Sequence, residues 1–287
     1  MVSVWKELRY LFKRFVLIAN VLPALLGFIM AARYYNISFG NYWLDFMLLL
    51  AGSTLLVAGA LTLNNWLEAD VDKLMERTKQ RPTVTGSISL RAILILGISL
   101  SLVGQLLLLF INIEVAILGF IGWYTYVVVY TVWTKRRVTW NTHIGSLSGA
   151  VTPMMGWAVV GSAFHAIPLT LFAIMFLWQM PHTYAIAIRK YDDYARSGLK
   201  MLPVVRGYQI TIRRNVIYMA LLLFIPLFLT GFSNLFYILI SLLNLGWLAI
   251  GMAGFKAHSI KKWANLLFAS SLIYLLAVYL LYIVFVP

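Results

Sequence analysis

The sequence predicts an all-α, polytopic membrane protein with nine transmembrane helices, and three observations carry that prediction. The first is composition: of 287 residues, 62% are hydrophobic and 11% are charged. A soluble domain carries about 25% charged residues. A soluble fold of this length also leaves about a quarter of its chain surface in water, where so much apolar surface has no place. The second is continuity. The apolar residues fall in unbroken runs near the roughly 20 residues that cross about 30 Å of hydrocarbon. They do not alternate, which excludes transmembrane β-strands. The third is charge segregation. Of the 23 Lys and Arg, 22 lie before the first run or in even-numbered connections, with Arg33 the exception. Basic residues mark the cytoplasmic side. The N-terminus and the even connections are therefore expected in the cytoplasm and the C-terminus outside.

The runs follow in order. Run 15–33 is too long for a cleaved signal and holds Pro23 and Gly27. Run 43–67 ends in a polar patch beginning at Asn64. Runs 91–112 and 115–133 form a hairpin ahead of Lys135, Arg136 and Arg137. Run 141–162 is the least apolar, with Gly145, Ser146, Ser148, Gly149, Thr152 and Pro153. Small residues let helices pack closely in lipid, so it is expected inside the bundle. Run 167–188 contains Pro181, which removes a backbone hydrogen bond and is expected to kink the helix just before His182. Runs 215–232, 234–254 and 264–286 complete the set. The net charge of +14 is then a topology signal, and no nucleic-acid partner is expected. The absence of cysteine excludes disulfides, thiolate metal sites and cysteine nucleophiles.

Two connections are long, about 68–90 and 189–214, and both are expected in the cytoplasm. They hold six of the nine acidic residues: Glu68, Asp70, Asp72, Glu76, Asp192 and Asp193. Acidic residues contribute little to topology, so these need another reason. The connections also match each other. At an offset of 121 residues Asp72 falls on Asp193, Lys79 on Lys200, Pro82 on Pro203, Val84 on Val205 and Gly86 on Gly207. Lys135 falls on Lys256. The chain is thus expected to be one domain, 1–287, with a four-helix repeat over about 43–163 and 167–286 and the first helix in front.

Asn64, Glu68 and Asp72 are four residues apart and share one helical face. A column of oxygen-bearing side chains suits a hard cation such as magnesium. Arg77, Lys79 and Arg81 follow at once. Acids for a metal beside bases for an anion make the composition of a diphosphate–magnesium site. Asp192 and Asp193 offer a second acidic pair. A polar residue inside an apolar run is expensive, which makes His182 a functional candidate. His143 is a weaker one. A transporter is the rival class, since repeats and a proline-broken helix suit one. Transporters place ionisable groups near the bilayer midplane, whereas here most acids sit at helix ends.

Asn64-x-x-x-Glu68-x-x-x-Asp72, with Met75-Glu-Arg-Thr-Lys79-x-Arg81-Pro82, resembles the first motif of the intramembrane prenyltransferases. Pro181-His182, Asp192-Asp193-Tyr194 and Met201-Leu-Pro-Val-Val-x-Gly207 resemble the second, in the branch that farnesylates heme. Tyr130-Thr-x-Trp-Thr-Lys135-Arg136 resembles a tyrosine–lysine element, and the stretch from Trp140-Asn141 to Gly156-Trp157 is also similar. The resemblance runs from about Lys13 to the C-terminus. One position departs: Glu68 stands where the family usually has Asp, and its carboxylate reaches one methylene further.

The resemblance implies nine helices around a central cavity in the cell membrane. It implies farnesyl diphosphate and heme B as substrates, with magnesium. Heme A synthase or a terminal oxidase would lie downstream. Asn64, Glu68 and Asp72 would hold magnesium, and a second ion would sit at Asp192 and Asp193. Lys79, Arg81, Lys135 and Arg189 would hold diphosphate oxygens. An allylic cation favours aromatic faces, and Trp66, Tyr126, Tyr130, Trp133 and Tyr184 lie at suitable depth. His182 would contact the heme iron or move a proton. A quinone precursor is the alternative acceptor.

Overall fold

The computed structural model describes residues 4–287. All regular structure in them is helical. A short helix, α1 (Val4–Phe12), precedes α2 (Arg14–Tyr34) and α3 (Trp43–Leu67). Two one-turn helices follow, α4 (Ala69–Asp72) and α5 (Pro82–Thr85). Then come α6 (Leu90–Ile111), α7 (Ile113–Tyr124), α8 (Asn141–Trp157) and α9 (Ala166–Arg189). The short α10 (Tyr191–Arg196) leads to α11 (Leu202–Leu221), α12 (Asn234–Met252) and α13 (Ile260–Phe285). Eight helical segments in the described residues are long and apolar enough to cross a membrane. The chain is a polytopic membrane protein.

The expected fifth span is where the count differs. The helix there, α8, has 17 residues and stops at Trp157, not at 162. Twelve of the 17 are buried, so α8 is an interior helix as its small residues imply. The long second connection also differs. Helix α11 begins at Leu202, with a break at Gly207, where φ is 78°. Arg213 and Arg214 therefore sit on a helix rather than in a loop. Helix α9 runs through Pro181 without interruption.

Small residues set the closest helix contacts. A Cβ at Gly156 would lie 1.7 Å from the Ala24 carbonyl oxygen, and one at Gly27 would lie 2.2 Å from that of Pro153. Helices α2 and α8 thus touch backbone to backbone, as lipid-embedded helices do in place of a hydrophobic driving force. Helices α3 and α6 do the same, where a Cβ at Gly59 would lie 2.6 Å from the Ser101 amide nitrogen and one at Gly104 2.4 Å from that of Leu56. Two clusters hold most of the buried apolar residues. One cluster joins Ala24, Phe28, Leu56, Leu108 and Val115. The other joins Trp178, Ile212, Phe236, Trp247 and Tyr282. Helix α8 contributes to both, through Met154 and Met155 to the first and Ala150 and Trp157 to the second. The outer faces carry Phe110, Ile238, Leu242 and Ile273, all exposed, as a lipid-facing surface requires.

Candidate active site

The site begins where α3 ends. Glu68 leaves helical geometry at φ −105° and ψ 10°, yet the Asp72 amide still donates to the Glu68 carbonyl at 2.8 Å. The coil continues through the break, so Asn64, Glu68 and Asp72 stay in one column. All three are buried. Each oxygen is met by a different cation. Lys13 donates to Asn64 Oδ1. Lys135 Nζ donates to Glu68 Oε1 at 2.5 Å, and Arg81 Nη1 to Asp72 Oδ2 at 2.5 Å. Burial alone would push the Glu68 carboxyl up, but the charges of Lys135, Lys13 and Arg81 together outweigh it and hold the carboxyl below its ordinary range. Pairing with Glu68 raises Lys135 against the opposing effect of burial. Burial, reinforced by the Arg81 charge, lowers Lys13 well below an ordinary lysine. Three cations face two carboxylates, and the surplus positive charge is buried. Such a cluster calls for an anion.

Lys13 is the site residue that sequence reasoning missed. Ahead of an apolar run, a lysine reads as a topology charge. Its backbone is left-handed, with φ 44°, a conformation rare outside glycine. The turn between α1 and α2 carries the side chain inward. Asn65 holds that turn by donating to the Leu11 carbonyl at 2.9 Å.

Lys135 is delivered by an unusual element. Residues Thr125–Thr134 continue α7 as a π-helix. The Lys135 amide closes it on the Tyr130 carbonyl at 2.9 Å. The Thr131 hydroxyl donates to the Tyr126 carbonyl at 2.8 Å and receives the Asn64 amide at 3.1 Å. π-Helical turns inside α-helices concentrate at functional sites. The following loop is pinned by Arg136, which donates to both Asp70 oxygens at 2.7 and 2.8 Å. Those bonds hold the Asp70 carboxyl below its ordinary range. Asp70 thus serves the scaffold.

Beneath the cluster lies a cavity of about 740 Å³. Tyr126 and Tyr130 line it, with ring centroids 5.8 Å apart and planes 26° apart. Lys135 Nζ lies 5.4 Å from the Tyr130 ring centre, so that ring links the charge to the cavity wall. The other walls are mostly apolar and come from α2, α3, α7, α8, α9 and α13. His182 also lines the cavity, with Gln179 and Thr183 beside it. The His182 ring stacks on Trp178 and Phe268, and its Nδ1 meets the Ser271 hydroxyl at 2.7 Å.

Several expected site residues lie elsewhere. Lys79 is exposed and paired with Glu76, because the chain has left the helix before reaching it. Asp192 is exposed. Asp193 is buried, but it accepts from Arg196 at 2.7 Å and from the Glu76 amide at 3.2 Å. It ties the two long connections together. Trp66 is half-buried and absent from the cavity wall. Trp133 is exposed, as an interfacial belt residue is. Tyr184 is fully buried but faces Tyr218 rather than the cavity. Arg189 lies 4.2 Å from the Phe268 ring centre, on the His182 side. His143 is engaged by the Tyr218 hydroxyl at 2.5 Å.

Among the described residues no three His, Asp or Glu side chains gather as a metal-ligand set. The column instead offers two carboxylates and one amide oxygen, all hard donors. Magnesium is held in this way where substrate phosphates and water complete its shell, so the donor set fits the ion.

A helical membrane bundle around an apolar cavity, capped by a buried oxygen column and three cations, is a site for a long apolar molecule with an anionic head. The chain belongs to the UbiA prenyltransferase family, whose profile matches residues 20–280. It is 44% identical over 279 residues to a protoheme IX farnesyltransferase of Oceanobacillus iheyensis, covering 97% of this chain and 89% of that one. It is 42% identical over 283 residues to protoheme IX farnesyltransferase 2 of Bacillus velezensis, covering 99% and 93%. Its fold matches that of a UbiA homolog from Archaeoglobus fulgidus bound to DMAPP and Mg2+, with a TM-score of 0.72 at 18% identity over 96% of this chain and 97% of that one.

Proposed function

We propose that the protein transfers the farnesyl group of farnesyl diphosphate to a vinyl group of heme B, giving heme O. The observation that carries this reading is the buried cluster of Lys13, Arg81 and Lys135 on the Asn64–Glu68–Asp72 column, joined to the cavity through the Tyr130 ring beside Lys135. Identity of 42–44% to protoheme IX farnesyltransferases over nearly the whole chain supports the acceptor.

Asn64, Glu68 and Asp72 would hold magnesium, which when bound neutralises the departing diphosphate. Lys13, Arg81 and Lys135 bind diphosphate oxygens and orient the prenyl chain into the cavity. The C1–O bond of the donor breaks and its electron pair leaves on the diphosphate. The Tyr126 and Tyr130 faces stabilise the allylic cation without capturing it, as a carboxylate would. The vinyl π-electrons form the new carbon–carbon bond at C1. Water then adds to the resulting cation and loses a proton, completing the hydroxyethylfarnesyl group. The apolar walls keep bulk water from the first cation. His182 faces the acceptor.

The enzyme would lie in the cell membrane with its N-terminus and site loops cytoplasmic and its C-terminus outside. The two four-helix units also belong to this proposal. Gly86 and Gly207, 121 residues apart, share a positive φ, of 76° and 78°. Each follows a proline in the first turn of its helix, Pro82 and Pro203. The reading places heme A synthase or the terminal oxidase downstream, as users of the product.

The test is incubation of purified protein with heme B, farnesyl diphosphate and magnesium, with mass analysis of the extracted pigment. The expected product is heme B plus one farnesyl and one hydroxyl group. Unchanged heme B, with a quinone precursor prenylated in its place, would overturn the acceptor.

A further inference from the structure

We propose that Ser271 is a positioning residue that holds His182 as its Nδ1–H tautomer, presenting the Nε2 lone pair to the cavity as a ligand for the acceptor's iron. The inference rests on the reading of that acceptor as a heme.

A serine hydroxyl has one proton. Ser271 Oγ donates it to the Phe268 carbonyl at 2.6 Å. At the 2.7 Å contact with His182 Nδ1 the oxygen is therefore the acceptor, and Nδ1 carries the hydrogen. A neutral imidazole protonated at Nδ1 has its lone pair on Nε2. Among the described residues Nε2 has no hydrogen-bond partner, and His182 lines the cavity. Ser271 is fully buried, so water does not compete for the contact.

The ring is also fixed in rotation. It stacks on Trp178 at 4.6 Å and 21°, and on Phe268 at 5.0 Å and 30°. Trp178 in turn donates from its indole to the Ser271 carbonyl at 2.8 Å. That bond uses the backbone of residue 271, so it survives loss of the hydroxyl. Histidines that bind metals commonly donate their second N–H to a fixed acceptor, which sets tautomer and orientation together. Here the acceptor is a neutral hydroxyl, which leaves the imidazole a neutral ligand.

The experiment is titration of full-length purified protein with ferric heme B, read by Soret absorbance and electron paramagnetic resonance, with farnesyl diphosphate binding measured in parallel. Ser271→Ala should weaken heme binding about tenfold or more, the scale seen when such partners are lost, and reduce the imidazole–iron signature. Ser271→Thr, which keeps the hydroxyl, should restore both. His182→Ala should remove the signature, and adding Ser271→Ala to it should cost nothing further. Farnesyl diphosphate binding should be equal in all four variants. An imidazole signature in the unmodified protein that survives Ser271→Ala unchanged overturns the proposal alone. An equal loss from Ser271→Ala in the His182→Ala background also overturns it, because the serine then acts through packing. No imidazole signature in the unmodified protein overturns both this proposal and the placement of the acceptor.

Discussion

Asp72 and Arg81 form a pair in which each member is nearly inaccessible to water. Truncating one partner leaves the other charge buried and unpaired, which costs about 3–5 kcal/mol where measured. Asp72→Ala should therefore lose roughly a hundredfold or more in farnesylation while still inserting into membranes. Turnover near normal at matched expression would remove Asp72 from the site. Glu68→Asp should keep activity within about tenfold, because the Lys135 stem is flexible enough to follow a shorter carboxylate. Lys13 gives a pH test. Its lowered pKa means that it sheds its proton below 10.5, before an ordinary lysine would. In the proposed role the charged form binds the diphosphate, so the KM for farnesyl diphosphate should rise as pH climbs through that lowered value. Lys13→Arg, which stays charged, should remove the rise, and an unchanged KM profile would count against the role. The Asn64, Glu68 and Asp72 column was legible in the sequence because a four-residue spacing survives a slightly broken helix. Lys79 and Asp192 were not placed correctly by spacing, because side-chain direction past a helix end depends on the turn. Lys13 was hidden, since its inward course depends on one left-handed residue.

At the scale of elements, the apolar runs located the long helices because twenty apolar residues in lipid have little alternative to a helix. The limits of α8 and α11 were less legible. Helix α8 is shielded by protein, so hydropathy says little about where it stops. Helix α11 begins well before its apolar run, with charged residues on its first turns, which reads as loop. The π-helix left no trace in composition, yet it rotates Lys135 relative to an α-helical course and carries it onto Glu68. Close packing offers the sharpest test of these elements. Gly156→Ala forces a methyl group into the Ala24 carbonyl, and overpacking of this kind typically costs about 1–3 kcal/mol. Gly246 in α12 has nothing within 4 Å of a built Cβ. In detergent, Gly156→Ala should lower the melting temperature by several degrees, and Gly246→Ala should leave it level or slightly raised. Equal behaviour of the two would mean that α2 and α8 are further apart than described.

For the whole molecule, orientation follows from the division of Lys and Arg between the two sides. A reporter fused after Pro287 should read as extracytoplasmic and one inserted near Gly86 as cytoplasmic. Two readings on one side would mean that the number of membrane crossings is off by one, with α8 the element to re-examine. The cavity has a separate consequence. Phe15, Val16 and Leu22 of α2 and Leu272 and Leu276 of α13 line it, and all five are also exposed on the outer surface. The chamber therefore opens sideways, between the first and last long helices, into the hydrocarbon. Substrates that enter by that route arrive from a two-dimensional solution, and what governs the rate is their mole fraction in the bilayer. At fixed amounts of heme B and farnesyl diphosphate, adding inert lipid should slow the enzyme, and restoring the substrate-to-lipid ratio should return the original rate. A rate indifferent to added lipid would mean loading from water. A product released the same way stays dissolved among acyl chains, and its next encounter is a lateral collision in the plane of the membrane.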